Sequence, residues 1–165
     1  MKKVVKFGGS SLANAEQFQK VGEIIRSEES RRYVVPSAPG KRFDGDTKVT
    51  DMLYACYGAA EAGEDFSGKL QAIKMRFQEI IQGLSLDLSL DREFEQIAAD
   101  FSAHAGKEYA ASRGEFLNGK VMAAYLGYEF VDAAEVIRFD KNGVLEAEKT
   151  NKLLGKRLAK CEKAV

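Results

Sequence analysis

Only three stretches of this chain have the short, continuous apolar character of buried strands: Val4–Phe7, Tyr33–Ser37 and Tyr128–Asp132. Long segments with a 3.6-residue apolar period lie between them. Asn14 and Gln17 form a capping-box pattern ahead of a stripe at Phe18, Val21, Ile24 and Ile25. Leu70, Ile73, Phe77, Ile80, Ile81 and Leu84 make a second stripe, and Phe94, Ile97, Ala98, Phe101 and Ala105 a third. A last one runs from Thr150 through Leu153, Leu154 and Leu158. Apolar strands alternating with helices indicate an α/β fold, a mainly parallel sheet with helices on both faces. The helical excursion between the second and third strands sits on one side of that sheet. Asn142-Gly143, inside FDKNGVLEAEK, signals a small hairpin or loop. With no repeat or linker in 165 residues, the expectation is one domain, or part of one.

In such sheets ligands bind beyond the carboxyl ends of the strands. Two of the three strands run there into small-residue loops, Gly8-Gly9-Ser10-Ser11 and Ser37-Ala38-Pro39-Gly40, each followed by a helix. Glycines expose backbone N–H groups and a helix start adds partial positive charge, which favours an anion. Lys6 adds a full charge inside the first strand, where it must reach solvent or a negative partner. The bare pattern also fits a tight turn. Gly63 to Leu70 matches G-x-x-x-x-G-K, but Leu70 stands where a P-loop needs Ser or Thr, and no strand precedes it. It reads as a link between helices.

Two residues carry open alternatives. Ser112 and Glu115 have the spacing of a capping box, the reading that spacing alone favours, and the alternative points Glu115 into the cleft to hold an ammonium group. Thr50 is either a simple helix-start residue or a hydroxyl that holds a carboxylate. His104, the single histidine, follows Phe101 by three residues and is expected partly buried on the apolar face. One histidine and two distant cysteines, Cys56 and Cys161, give neither a zinc site nor a Ser-His-Asp site. Lys plus Arg equals Asp plus Glu at 25 each, so neither nucleic acid nor an anionic membrane is drawn by net charge. With no signal-peptide or membrane-length run, the expectation is a reduced, cytoplasmic protein.

Taken together, KFGGSS, VVPSAPGKRFDGDTKVTDMLY, SRGEFLNGKVMAAYL and GYEFVDAAEVI resemble, in order and along the whole chain, the aspartate kinases of the amino-acid kinase family. Ser10 replaces the threonine of the usual KFGGTS. The resemblance implies the three-layer αβα sandwich of that family and transfer of the γ-phosphoryl of ATP, with Mg²⁺, to the side-chain carboxylate of L-aspartate. It implies that Lys6 is the catalytic lysine that neutralises the moving phosphoryl group. Phe7, Gly8, Gly9 and Ser10 would form the phosphate loop, Ser37 and Thr50 would line the substrate site, and Glu115 would take the α-ammonium. The family's GRGGSD and T-D-x-x-G motifs are not in these 165 residues. The expectation is therefore the N-terminal part of the catalytic domain, without the ATP-binding half or the regulatory ACT domains. Such a part would be inactive alone and prone to form a homo-oligomer. A glutamate or N-acetylglutamate kinase, or a non-catalytic self-associating fragment, are the alternatives.

Overall fold

The computed structural model describes residues 1–165. Strand β1 (Lys3–Phe7) leads through a 3-10 turn (Gly9–Leu12) into helix α1 (Ala15–Arg26), and β2 (Arg31–Pro36) returns parallel to β1. Helices α2 (Val49–Glu61), α3 (Ser67–Gly83), α4 (Asp91–Ser102) and α5 (Lys107–Leu126) follow, then the single turn α6 (Ala133–Val136) and α7 (Ala147–Leu158). The predicted cap of α1 is present, with the Gln17 N–H donating to Asn14 Oδ1 at 3.0 Å. Gly63, in the left-handed region at φ 73°, turns the chain between α2 and α3, so the near-miss to a P-loop is a helix link. Gly143 likewise sits at φ 78° in a small hairpin closed by Phe139 and Leu145.

Lys6 pairs in register with Val35, and Val4 with Tyr33. Because side chains alternate, these four share one face of the sheet while Val5, Phe7 and Val34 share the other. The inner face rests on a core built from α1 to α5, in which Phe18, Phe77, Phe101, Leu117 and Met122 are fully buried. The outer face looks across a 560 Å³ cavity toward α6 and α7, whose Val136, Leu154 and Leu158 line the far wall. Helices thus lie on both sides, yet β1 is not the buried strand that its apolar run predicts. Val4 stays 67% exposed and Val35 48%, and Lys6 reaches solvent on the same face.

The third predicted strand differs too. Residues 128–132 do not pair with β2. The tail lies between them: Ala164 bonds to Arg32 and Val34 on one side, and Lys163 and Val165 to Glu129 and Val131 on the other. Apolar character marked this stretch as extended, but only the tail gives it a hydrogen-bonding neighbour. Two further expectations are corrected. Ile24 is 48% exposed, since Phe18, Val21 and Ile25 already fill the inward face of α1. His104 is exposed, in the left-handed region at φ 56° just past the end of α4, where the helix stops one turn sooner than its apolar stripe.

Removing Lys163–Val165 deletes five backbone hydrogen bonds at once. At about 0.5–1.5 kcal/mol each, the expected loss is several kcal/mol. Urea unfolding measures it, and hydrogen exchange should show protection lost at Val34, Glu129 and Val131 while the β1–β2 pairing holds.

Candidate functional site

The loops after β1 and β2 meet backbone to backbone. The Gly40 N–H donates to the Gly9 carbonyl at 2.8 Å. A Cβ built on Gly9 would lie 2.7 Å from the Ala38 carbonyl oxygen, and one on Gly40 would lie 2.6 Å from the Gly9 carbonyl carbon. Neither position accepts a side chain without moving the other loop. Gly8 is different. Its φ of −77° suits any residue and nothing lies within 4 Å of a Cβ placed there. No packing or backbone constraint asks for glycine at 8. The first amides of the 3-10 turn that follows have no acceptor within the turn.

Ser37 ties the two strand ends together. Its N–H donates to the Phe7 carbonyl at 3.0 Å, its hydroxyl accepts from Lys6 Nζ at 3.3 Å, and its carbonyl accepts from Asn118 Nδ2 at 2.7 Å. Phe7 itself turns its ring toward the core. Ser10 is exposed on the 3-10 turn, with its backbone nitrogen beside Gly40.

Glu115 is not at a helix start. Residue 107 opens α5, so Ser112 and Glu115 lie more than one and more than two turns inside, and the Ser112 hydroxyl donates to the Tyr109 carbonyl instead. The capping alternative is overturned. Glu115 is exposed and lines the cavity with Val35 and Pro36 of β2, next to Lys6 and Phe7 in register. Gly114 explains how α5 comes so close: a Cβ there would fall 2.7 Å from that of Ala38 and 3.7 Å from Val49. Thr50 is the second residue of α2, after Lys48 at the N-cap, and its hydroxyl makes no cap. The Val49 N–H donates to the Pro39 carbonyl, which fixes that helix start against the second loop. Lys6, Gly8 to Ser10, Ser37, Thr50 and Glu115 are therefore gathered around one pair of loops, although their sequence positions span 110 residues.

Three polar residues at this site went unread in the sequence. Asn118 is fully buried among Leu117, Val121 and Met122, and its Oδ1 has no partner. Arg76 is 4% exposed on the apolar face of α3, between Ile73 and Phe77. It donates to Asp46 Oδ2 at 2.8 Å, to the Gly40 carbonyl at 2.8 Å and to the Thr47 carbonyl at 3.4 Å. Asp46, its side chain 9% exposed, also accepts from the Arg42 side chain and Arg42 N–H. Arg42 in turn pairs with Glu79. The bonds from Arg42 hold the Asp46 carboxyl well below the usual carboxylate range, against the opposing effect of burial. Burial, then the neighbouring Arg42 charge, pushes Arg76 below the ordinary arginine value. A polar residue on an otherwise apolar helix stripe is the signal that marks both Arg76 and Asn118.

A sequence model of the Amino acid kinase family matches residues 1–160. The chain belongs to that family. It is 39% identical over 140 residues to aspartokinase 3 of Bacillus subtilis, covering 81% of this chain and 31% of that protein. The crystal structure of Clostridium acetobutylicum aspartate kinase superposes with a TM-score of 0.95 at 44% identity, over 100% of this chain and 38% of that one. E. coli aspartokinase III, solved with lysine and aspartate, matches with a TM-score of 0.73 at 26% identity, over 98% and 39%. The chain thus spans less than a third of the length of the curated relatives it matches. These likenesses give the three-layer α/β fold of the family.

Asp46→Asn tests the charge network by pH. With its folded-state pKa depressed, Asp46 stabilises the fold fully above the unfolded aspartate pKa of about 3.9, and less as the pH falls below it. Above pH 5 the variant should be about 3 kcal/mol less stable than wild type. The gap should narrow below pH 4 in urea titrations, and a pH-independent gap would contradict the assignment.

Proposed function

We propose that this chain carries the aspartate side of an aspartate kinase, which transfers the γ-phosphoryl of ATP to the L-aspartate side chain and releases ADP and 4-phospho-L-aspartate. The observation that carries the reading is the meeting of the Gly8–Ser10 loop with the loop after Ser37, the residue that accepts from Lys6, in a chain 44% identical along its length to an aspartate kinase. A carboxylate nucleophile needs no strong base, so such a reaction depends on positioning and charge neutralisation. Lys6, held at the strand end by Ser37, supplies positive charge beside the first loop. Gly8 leaves its side of the loop open, which fits a phosphate lying against the backbone. Glu115 is the acceptor for the α-ammonium, and Thr50 and Ser37 supply hydroxyls to the substrate. Mg²⁺ would arrive with the nucleotide, bound to its phosphates.

We read the 165 residues as the N-terminal, aspartate-binding part of a catalytic domain, in keeping with their 38% share of the Clostridium chain. The nucleotide's remaining contacts, and amino-acid regulation, belong to residues outside this sequence. No helix is long and apolar enough to cross a membrane, and both cysteines are free and buried. Unpaired thiols fit a reducing compartment, so we place the reaction in the cytoplasm. The open face at Val4 and Val35 favours association with a second apolar surface, and sedimentation should show the chain self-associating as concentration rises.

Titration of the chain with L-aspartate, followed by NMR shifts at Ser37, Thr50 and Glu115, tests the reading, with L-glutamate as the control for a glutamate kinase. Losing a charge-assisted bond costs about 1.5–3 kcal/mol, so Glu115→Ala should weaken aspartate binding at least about tenfold. Unchanged affinity in that variant would remove Glu115 from the site. Equal binding of L-glutamate would shift the assignment to another amino-acid kinase.

A further inference from the structure

The loop after β2 is long, polar and charged at its tip. Lys41 to Lys48 contains seven exposed or half-exposed polar and glycine residues, with Phe43 as its one large apolar side chain. A segment of this kind has little apolar surface with which to fix itself. Yet both its ends must be accurately placed. Gly40 interlocks with Gly9 and Ser10 at the start, and Val49 opens α2 at the end, next to Thr50.

One side chain reaches both ends. Arg76, on α3, takes the Gly40 carbonyl with Nη2 and both the Thr47 carbonyl and Asp46 with Nη1. The guanidinium plane spans the base of the loop as a staple would, and Asp46 returns the charge from within the loop. Arg42 folds back on the same carboxylate and binds Glu79 of α3. A planar fork spreads its donors wide enough to hold two carbonyls and a carboxylate in fixed directions, whereas lysine's three donors radiate from one nitrogen on a flexible stem. A buried ion pair is a costly way to stabilise a fold, so its retention here calls for a role that apolar packing could not fill.

The geometry points to Arg76 and Asp46 as a positioning pair that sets the distance between the Gly8–Ser10 loop and the Thr50 end of α2, and hence the spacing of the phosphate and amino-acid halves of the cleft. Arg76 touches no reacting group and acts through Gly40 and Thr47. The part of this inference that concerns aspartate rests on the function proposed above. The part that concerns loop position does not.

The test separates them. Amide hydrogen exchange is measured on the 165-residue chain for wild type, Arg76→Lys and Asp46→Asn, with Lys74→Met as control. Lys74 is on the same helix but pairs with Asp91 at the surface. Protection at Gly40 and Val49, whose N–H groups hold the loop ends, should fall at least tenfold in both clamp variants and in neither wild type nor control. Core amides such as those of Val21 and Val121 should keep their wild-type NMR shifts and lose protection only in step with the fall in global stability read by urea. L-aspartate affinity, read by the same NMR titration, should fall about tenfold in Arg76→Lys. Unchanged protection at Gly40 and Val49 overturns the inference, as do NMR shift changes at Val21 and Val121 as large as those at Gly40 and Val49, which would make Arg76 a support of the whole fold. Should Arg76→Lys fail to fold, Asp46→Asn decides by the same criteria. If wild type binds no aspartate, the functional reading fails while the exchange data still decide the clamp. If wild type and Arg76→Lys bind aspartate equally, the functional reading stands and the positioning role falls.

Discussion

The contact on which this structure depends is between two peptide backbones. Where the Gly9 and Gly40 loops cross, there is room for hydrogen on each α-carbon and nothing larger. One N–H···O=C bond joins them, and parallel β1 and β2 deliver both loops to the same end of the sheet. Gly114 continues the arrangement on a third element, letting α5 press against Ala38. Everything else in the cleft inherits its place from these close approaches. Ser37 can receive Lys6 because its strand is in register, and Glu115 faces the cavity because the residue before it has no side chain.

Most of this was legible in the sequence. Two apolar runs gave β1 and β2 to within a residue or two, and the capped stripe gave α1. The loops after them followed from the rule that ligands gather at strand ends. The failures have physical causes. The stretch at 128–132 was read as a strand because apolar character predicts extension but cannot name a neighbour, and its neighbour is the tail. Spacing alone favoured a cap at Ser112 because a capping box does not reveal where the helix begins, and α5 begins five residues sooner. His104 was placed inside because the period of α4 was carried one turn too far.

Arg76 and Asp46 were invisible for another reason. An acidic residue in a charged loop and a basic one in a helix 30 positions later have no pattern that joins them. Only the fold brings them together, although Arg76, like Asn118, stands out as a polar residue on an apolar helix stripe. The role of Asn118 is legible from the Ser37 carbonyl it holds, while the unpartnered acceptor Oδ1 is a cost the core bears at the edge of the site.

The tail has a consequence for how the molecule forms. In the sheet the order runs β1, β2, residues 163–165, then residues 129–131, so a segment that follows both of its neighbours in sequence lies between them. Two segments nearly a hundred positions apart, at 34 and 131, are joined only through a third that follows both. Loop closure over such separations is slow compared with helix formation. Helices α1 to α5 and the paired loops can assemble first, since their contacts need nothing beyond residue 126. The sheet then grows by insertion at its middle, and a chain still being synthesised would complete its glycine cradle before its strand order.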